Sequence, residues 1–237
     1  MPTSSAAPID LVVFDIAGTT VDEGQQVYRV LEETVVAHGG TPTAADIDRW
    51  HGANKHHALR ALLTPAGAEP MSDGALEPIV ADFQARLIQA YRVNPPTPLA
   101  GVPEVFAELR AAGIRIALTT GFDRVILASL LPAVGWHDDT VVDTVVGGSD
   151  VPAGRPAPYM IFESMKRLGV TDVRRVLVAG DTPRDLEAGM NSGAAFVVGV
   201  LSGASSQAEL AAHPHSHLLA SVADVPALLG LRDSAAA

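Results

Sequence analysis

The sequence predicts an α/β protein, a doubly wound parallel-sheet core of the Rossmann-like kind with an all-helical domain inserted after its first strand. Three observations carry this. From position 99 onward, short runs rich in β-branched residues alternate with helical stretches of ~10–15 residues, the rhythm of βαβ units. The first run, Leu11-Val12-Val13-Phe14, is continuously apolar, as a strand buried on both faces of a parallel sheet must be. Between 23 and 98 strand signals stop and helical periodicity alone remains. The core is therefore expected over 8–22 and 99–237, and the helical cap domain over 23–98.

Taken in order, the first strand ends at Asp15, and Gly18 with two threonines turns the chain. Val27, Val30, Leu31, Thr34 and Val35 follow a helical period over 27–38, closed by Gly39-Gly40. Shorter helices are expected over 43–50 and 55–63, and a longer one over 76–91, ended by Asn94-Pro95-Pro96-Thr97-Pro98, a hinge-like segment. Then come a helix over 102–112, a strand over 114–120, a helix over 124–131 and a strand over 140–146. A helix over 159–168, a strand over 175–181, a helix over 186–191, a strand over 195–201 and a short helix over 225–229 complete the pattern. Met160 and Met165 have core spacing, the histidines of His213-Pro214-His215-Ser216-His217 read as a surface turn, and 234–237 as a frayed tail.

A chain of 237 residues, 48% hydrophobic and 18% charged, has material for one core and a small second domain. Its formal charge of −11, from 27 acidic against 16 basic residues, argues against nucleic acid or an anionic membrane as partner. No cysteine is present, which excludes disulfides and a thiol nucleophile. The first residues lack the basic and apolar regions of a signal peptide, and no apolar run approaches the ~20 residues that span a bilayer. A cytoplasmic protein is the expectation. The stripe on 27–38 offers a surface through which two copies could pair.

Carboxyl ends of parallel strands share one edge of a sheet, where ligands bind. Asp15, Thr120 and Asp181 can meet there although far apart in sequence, and Arg155 can join them from the loop 151–156. Two carboxylates, a hydroxyl and a cation suit phosphoryl transfer: one carboxylate attacks phosphorus, and both can hold Mg²⁺. Each of these residues alone has an ordinary structural explanation. The ordered set is far harder to obtain by chance.

That set, Asp15-Ile16-Ala17-Gly18-Thr19-Thr20, Leu118-Thr119-Thr120-Gly121, Val151-Pro152-Ala153-Gly154-Arg155-Pro156 and Gly180-Asp181-Thr182-Pro183-Arg184-Asp185, resembles the haloacid dehalogenase superfamily of aspartate-nucleophile hydrolases. Within it the match is to phosphonatases, the phosphonoacetaldehyde hydrolases, and their relatives. The resemblance implies Asp15 as nucleophile and Mg²⁺ ligand, and Ala17 as a metal ligand through its carbonyl. Asp181 would complete the metal site, with Asp185 supporting it or a metal-bound water. Thr120 would bind phosphoryl oxygens, Arg155 would stand for the usual lysine, and Thr19, Gly121, Gln25 and His51 would adjoin the substrate.

Ala17 stands where the phosphatases of this superfamily carry an acid that protonates the leaving group. Alanine donates no proton. Phosphonatase chemistry replaces the acid by a Schiff base between a lysine and the substrate aldehyde, and the resemblance places that lysine at Lys55. Lys166 is the only other lysine in the chain. Three positions depart from the phosphonatase pattern: Gln25 in place of a cysteine, Ala58 in place of a histidine and Phe122 in place of a tyrosine. His51 or His57 is a candidate proton shuttle, whereas adjacent His56 and His57 diverge by ~100° on a helix and suit no shared ion. The expected function is Mg²⁺-dependent cleavage of the C–P bond in phosphonoacetaldehyde or a close analogue. The alternatives are hydrolysis of a small phosphate monoester and, from another class, a receiver-like domain phosphorylated at Asp15.

Overall fold

The computed structural model describes residues 8–136 and 141–232. Strand β1 (Leu11–Asp15) lies at the middle of a six-stranded sheet. The others are β4 (Arg115–Thr119), β5 (Thr144–Val146), β6 (Val176–Gly180), β7 (Phe196–Val200) and β8 (His217–Leu219), in the order β5-β4-β1-β6-β7-β8. All neighbours are parallel. The chain builds outward from β1 through β4 to β5, then returns to β6 on the other side. The crevice of this reversal opens at the carboxyl ends of β1 and β6, the ligand position of doubly wound sheets.

Strand periodicity divides the β1 side chains between the two faces. Val12 and Phe14 join one hydrophobic cluster with Phe106 and Leu109 of α5 (Val102–Ala111). Leu11 and Val13 join a second with Ile161 and Met165 of α7 (Tyr159–Leu168) and Ala188 of α8 (Pro183–Ser192). Helix α6 (Arg124–Ala133) joins β4 to the segment before β5. Helix α10 (Val225–Leu228) closes the described chain against α5.

Four helices lie between β1 and α5: α1 (Gln26–Ala37), α2 (Ala44–Asp48), α3 (Lys55–Leu63) and α4 (Asp73–Val93). Contrary to the expectation of no strand in this stretch, Thr97–Pro98 (β3) pairs antiparallel with Val21–Asp22 (β2). Two residues in a proline-rich segment carry no periodicity to read. Gln26 Nε2 donates to the carbonyls of Glu23 (2.7 Å) and Asn94 (3.0 Å), joining the ends of the insertion a second time.

The stripe on α1 is not a free surface. Val27, Val30, Leu31, Thr34 and Val35 are buried, and α1 packs against α3 and α4, which removes the premise for pairing two copies through it. Strand β5 begins at Thr144 rather than 140; residue 140 and the 234–237 tail lie outside the described residues. Helix α9 (Gln207–Ala211) and edge strand β8 were not expected, and His217 belongs to that strand rather than to a turn. Both are too short, and β8 only half-buried, for a hydrophobic period to register. Among the described residues no helix is long and apolar enough to cross a membrane.

Candidate active site

Asp15 closes β1 beside its register partner Thr119 of β4. By strand alternation it continues the face of Leu11 and Val13, toward the loop before α7 and the start of α8. Arg155 arrives from that loop: its Nη2 lies 2.6 Å from Asp15 Oδ1, and its Nη1 lies 2.5 Å from Asp185 Oδ1, an ion pair made outside hydrogen-bond geometry. Arg155 also donates to Thr119 Oγ1 at 3.3 Å. Burial and the neighbouring carboxylates of Asp185 and Asp181 push Asp15 upward from the usual carboxylate range, against the pull of Arg155.

Asp181 follows the last residue of β6. Its Oδ1 accepts from the Thr19 hydroxyl (2.9 Å) and its Oδ2 from the Ala204 amide (2.7 Å). The backbone closes in on it: a Cβ on Gly203 would come within 2.0 Å of Oδ2, and one on Gly18 within 2.6 Å. Asp185 opens α8 as the partner of Thr182 in a capping box, accepting the Thr182 amide at 3.1 Å. One carboxylate thus caps a helix with one oxygen and holds Arg155 with the other.

Lys55 reaches this edge from the insertion for local reasons. Gly52 turns the chain with φ +71°, and Asn54 Oδ1 caps α3 by accepting the amides of His56 (2.9 Å) and His57 (3.3 Å). Lys55 is then the first helical residue. Its side chain folds back under the loop, so that Nζ donates to the Ala53 carbonyl at 2.8 Å and lies 4.9 Å from the Tyr28 ring centroid. Asp15, Lys55 and Arg155 each expose only 7% of their surface. Burial, with Arg155 adding to it, brings Lys55 down to about 8 against the attraction of Asp15.

Asp15, Lys55 and Arg155 line one small cavity of about 20 Å³, together with Ala17, Tyr28, Thr120, Gly121, Phe122 and Asp181. Glycines permit the close approach. A Cβ on Gly121 would lie 2.6 Å from the Ala53 carbonyl, and one on Gly52 2.5 Å from Thr182 Oγ1.

Comparison with known proteins gives the family. The family model for hydrolases of the haloacid dehalogenase-like kind matches residues 9–193. The chain belongs to the haloacid dehalogenase-like hydrolases. It is 35% identical over 213 residues to a phosphonoacetaldehyde hydrolase of Bacillus cytotoxicus, and 34% identical over 209 residues to one of Bacillus cereus. Each match covers 83% of this chain and 77% of the relative. Among solved structures, a phosphonoacetaldehyde hydrolase like protein from Oleispira antarctica superposes with a TM-score of 0.81 at 22% identity, over 95% of this chain and 92% of that one. CbbY from Rhodobacter sphaeroides, solved with phosphate, gives 0.74 at 19% identity, over 92% and 96%. At such identities these two show the fold.

Haloacid dehalogenase-like hydrolases generally use Mg²⁺. In this hydrolase the described residues form no group of three or more His, Asp or Glu placed to hold a metal. They do bring two carboxylates, Asp15 and Asp181, and the residue Ala17 to one cavity. Mg²⁺ takes one or two carboxylates and keeps several waters, so this donor set suits it. Burial first, and then the repulsion of Asp185 and Asp181, raise Asp15, and a divalent cation beside it would relieve that repulsion.

Not every expected residue of this hydrolase is at the cavity. Gln25 is exposed in the left-handed region (φ +56°), and His51 packs against Tyr28 with ring centroids 4.0 Å apart and ring planes tilted by 45°. Both line an adjoining groove of about 580 Å³ and not the inner cavity. His57 is exposed, and Ala58 is buried among the insertion helices. Tyr28, Thr182 and Thr119 were not anticipated. Tyr28 lies one helical turn beyond Gln25 and receives the Gly52 amide at 3.0 Å, and Thr119 points to Arg155 because it shares the strand parity of Ala117.

Proposed function

We propose that this hydrolase is of the phosphonatase type and cleaves the C–P bond of phosphonoacetaldehyde or a close analogue, with Mg²⁺ as its metal. The observation that supports this best is a buried lysine amine of lowered pKa in the same cavity as the strand-end aspartate. In this reading Lys55 Nζ, neutral in an appreciable fraction near pH 8, attacks the aldehyde carbon and forms an imine with loss of water. The protonated imine withdraws the electron pair of the C–P bond, leaving an enamine. Phosphorus passes to an Asp15 carboxylate oxygen, with Arg155 and the Thr120 hydroxyl holding its other oxygens. Asp15, Ala17 and Asp181 would hold the Mg²⁺, which supplies positive charge to the phosphoryl oxygens. Residues 23–98 would act as a cap. A cavity of about 20 Å³ holds roughly one water, so room for the substrate would come from the insertion moving away from the sheet edge.

A phosphate monoesterase is the second reading, favoured by Tyr28. Its hydroxyl accepts from Gly52 and its ring lines the cavity, a proton donor where Ala17 offers none. The experiment that separates the two is borohydride reduction in the presence of phosphonoacetaldehyde, with phosphate release measured over phosphonates and esters with and without Mg²⁺. A covalent adduct at Lys55 and phosphate from the aldehyde support C–P cleavage. Unchanged turnover in Lys55→Ala, with release from esters, assigns the second reading.

A further inference from the structure

Beside Lys55 lies a second cavity, of about 230 Å³ against about 20 Å³ around Asp15. Lys55, Gly121 and Phe122 line both, so the lysine stands at their junction. Its apolar lining comes from both parts of the chain: Val80 and Phe83 of α4, Phe122 of the loop after β4, and Ile126 of α6. Several polar atoms around it are already engaged. Asp123 Oδ1 caps α6 and its Oδ2 accepts from Gln84 Nε2 at 2.7 Å, while Asn54 Oδ1 caps α3. The Gln84–Asp123 bond ties the insertion to the core at this cavity. The volume is just under the ~300–1,000 Å³ common for small-molecule sites.

We propose that this cavity receives an apolar substituent on the substrate's carbonyl carbon, making 2-oxoalkyl phosphonates, R–CO–CH₂–PO₃²⁻, the preferred substrate class. The proposal rests on the reading of Lys55 as the imine-forming residue. A carbon bonded to Lys55 Nζ has two further arms. One carries phosphorus toward Asp15. The other is only hydrogen in phosphonoacetaldehyde, and the larger of the two cavities that Lys55 lines is the space available for a bigger group there. The groove of about 580 Å³ is the poorer destination: Lys55 does not line it, and Asp22, Glu23, Glu32 and Asp48 do.

The reaction balances as it does for an aldehyde. The Nζ–C bond forms with loss of one water, and the C–P electron pair enters the enamine as phosphorus bonds to Asp15. The enamine carbon then takes a proton, and two waters hydrolyse the imine and the acyl phosphate. The sum is R–CO–CH₂–PO₃²⁻ + H₂O → R–CO–CH₃ + HPO₄²⁻.

The test uses the full chain with Mg²⁺ and the ketones R = methyl, propyl and isobutyl, with phosphonoacetaldehyde as control. Transfer of a methylene to an apolar site predicts a rise in kcat/KM of about three- to fourfold per carbon, so about tenfold from methyl to propyl. Val80→Trp, and separately Ser149→Trp on the exposed rim, fill the cavity from opposite sides and lower the propyl-to-methyl ratio by about tenfold. Turnover of the aldehyde with kcat/KM falling from methyl to isobutyl, or an unchanged ratio in both variants, overturns the substituent site and leaves the role of Lys55 standing. No phosphate from the aldehyde or any ketone overturns both.

Discussion

At Lys55 burial and charge oppose one another, and burial prevails. Borohydride capture of an imine at this residue is therefore expected to rise with pH around a midpoint near 8 rather than at the ordinary 10.5, measured as incorporated label against pH. Linkage gives the sign for stability. Between about 8 and 10.5 the unfolded lysine holds a proton that the folded one has lost, so the stability contribution of Lys55 rises with pH across that window. Below it the protonated amine is a burden of order 1–3 kcal/mol, and Lys55→Met is expected to raise the melting temperature at pH 7 while abolishing imine capture. At Asp15, replacement by asparagine keeps the volume and removes the attacking oxygen. Phosphate release is expected to fall by about 10³-fold or more, with folding retained by circular dichroism. A variant that kept its turnover would remove the basis of the assignment.

Among the elements, the loop before α3 decides whether Lys55 meets Asp15. It approaches the core backbone to backbone, and a methyl group at Gly52 would meet the Thr182 hydroxyl in a residue already at φ +71°. Gly52→Ala is expected to lower kcat/KM by about 10²-fold through displacement of the lysine, with a melting temperature only a few degrees lower. The comparison of kinetics with thermal unfolding separates a positioning defect from general destabilisation. Asp185 joins the same elements from the other side, capping α8 with one oxygen and holding Arg155 with the other.

For the whole molecule the proposed reaction calls for motion of the insertion, because about 20 Å³ is too little room for the substrate. The natural chain has no cysteine, so a Gln84→Cys/Asp123→Cys pair can be joined by a short disulfide-containing bis-maleimide without competing thiols. These side chains already meet at 2.7 Å across the two parts of the chain. Cross-linking is expected to reduce turnover by tenfold or more and cleavage of the linker to restore it, read by phosphate release before and after dithiothreitol. Full activity in the cross-linked form would show that substrate enters without the insertion moving.

Much of this was present in the sequence alone. A buried parallel strand must be apolar throughout, so β1 and β6 were visible, and with them the carboxylates that follow their apolar runs. Helical period and proline breaks pointed to the insertion, and Lys55 drew notice because the family resemblance places the imine-forming lysine there. What stayed hidden depends on contacts between distant segments. The side on which Thr119 points follows from sheet register, and Tyr28 enters the cavity only because α1 packs beside the Gly52 turn. Gln25 and His51 line the adjoining groove, Gln25 in a left-handed turn and His51 against the Tyr28 ring. Periodicity reports which face of an element is buried; which segment buries it, and so which side chains share a cavity, is decided only when the chain closes on itself.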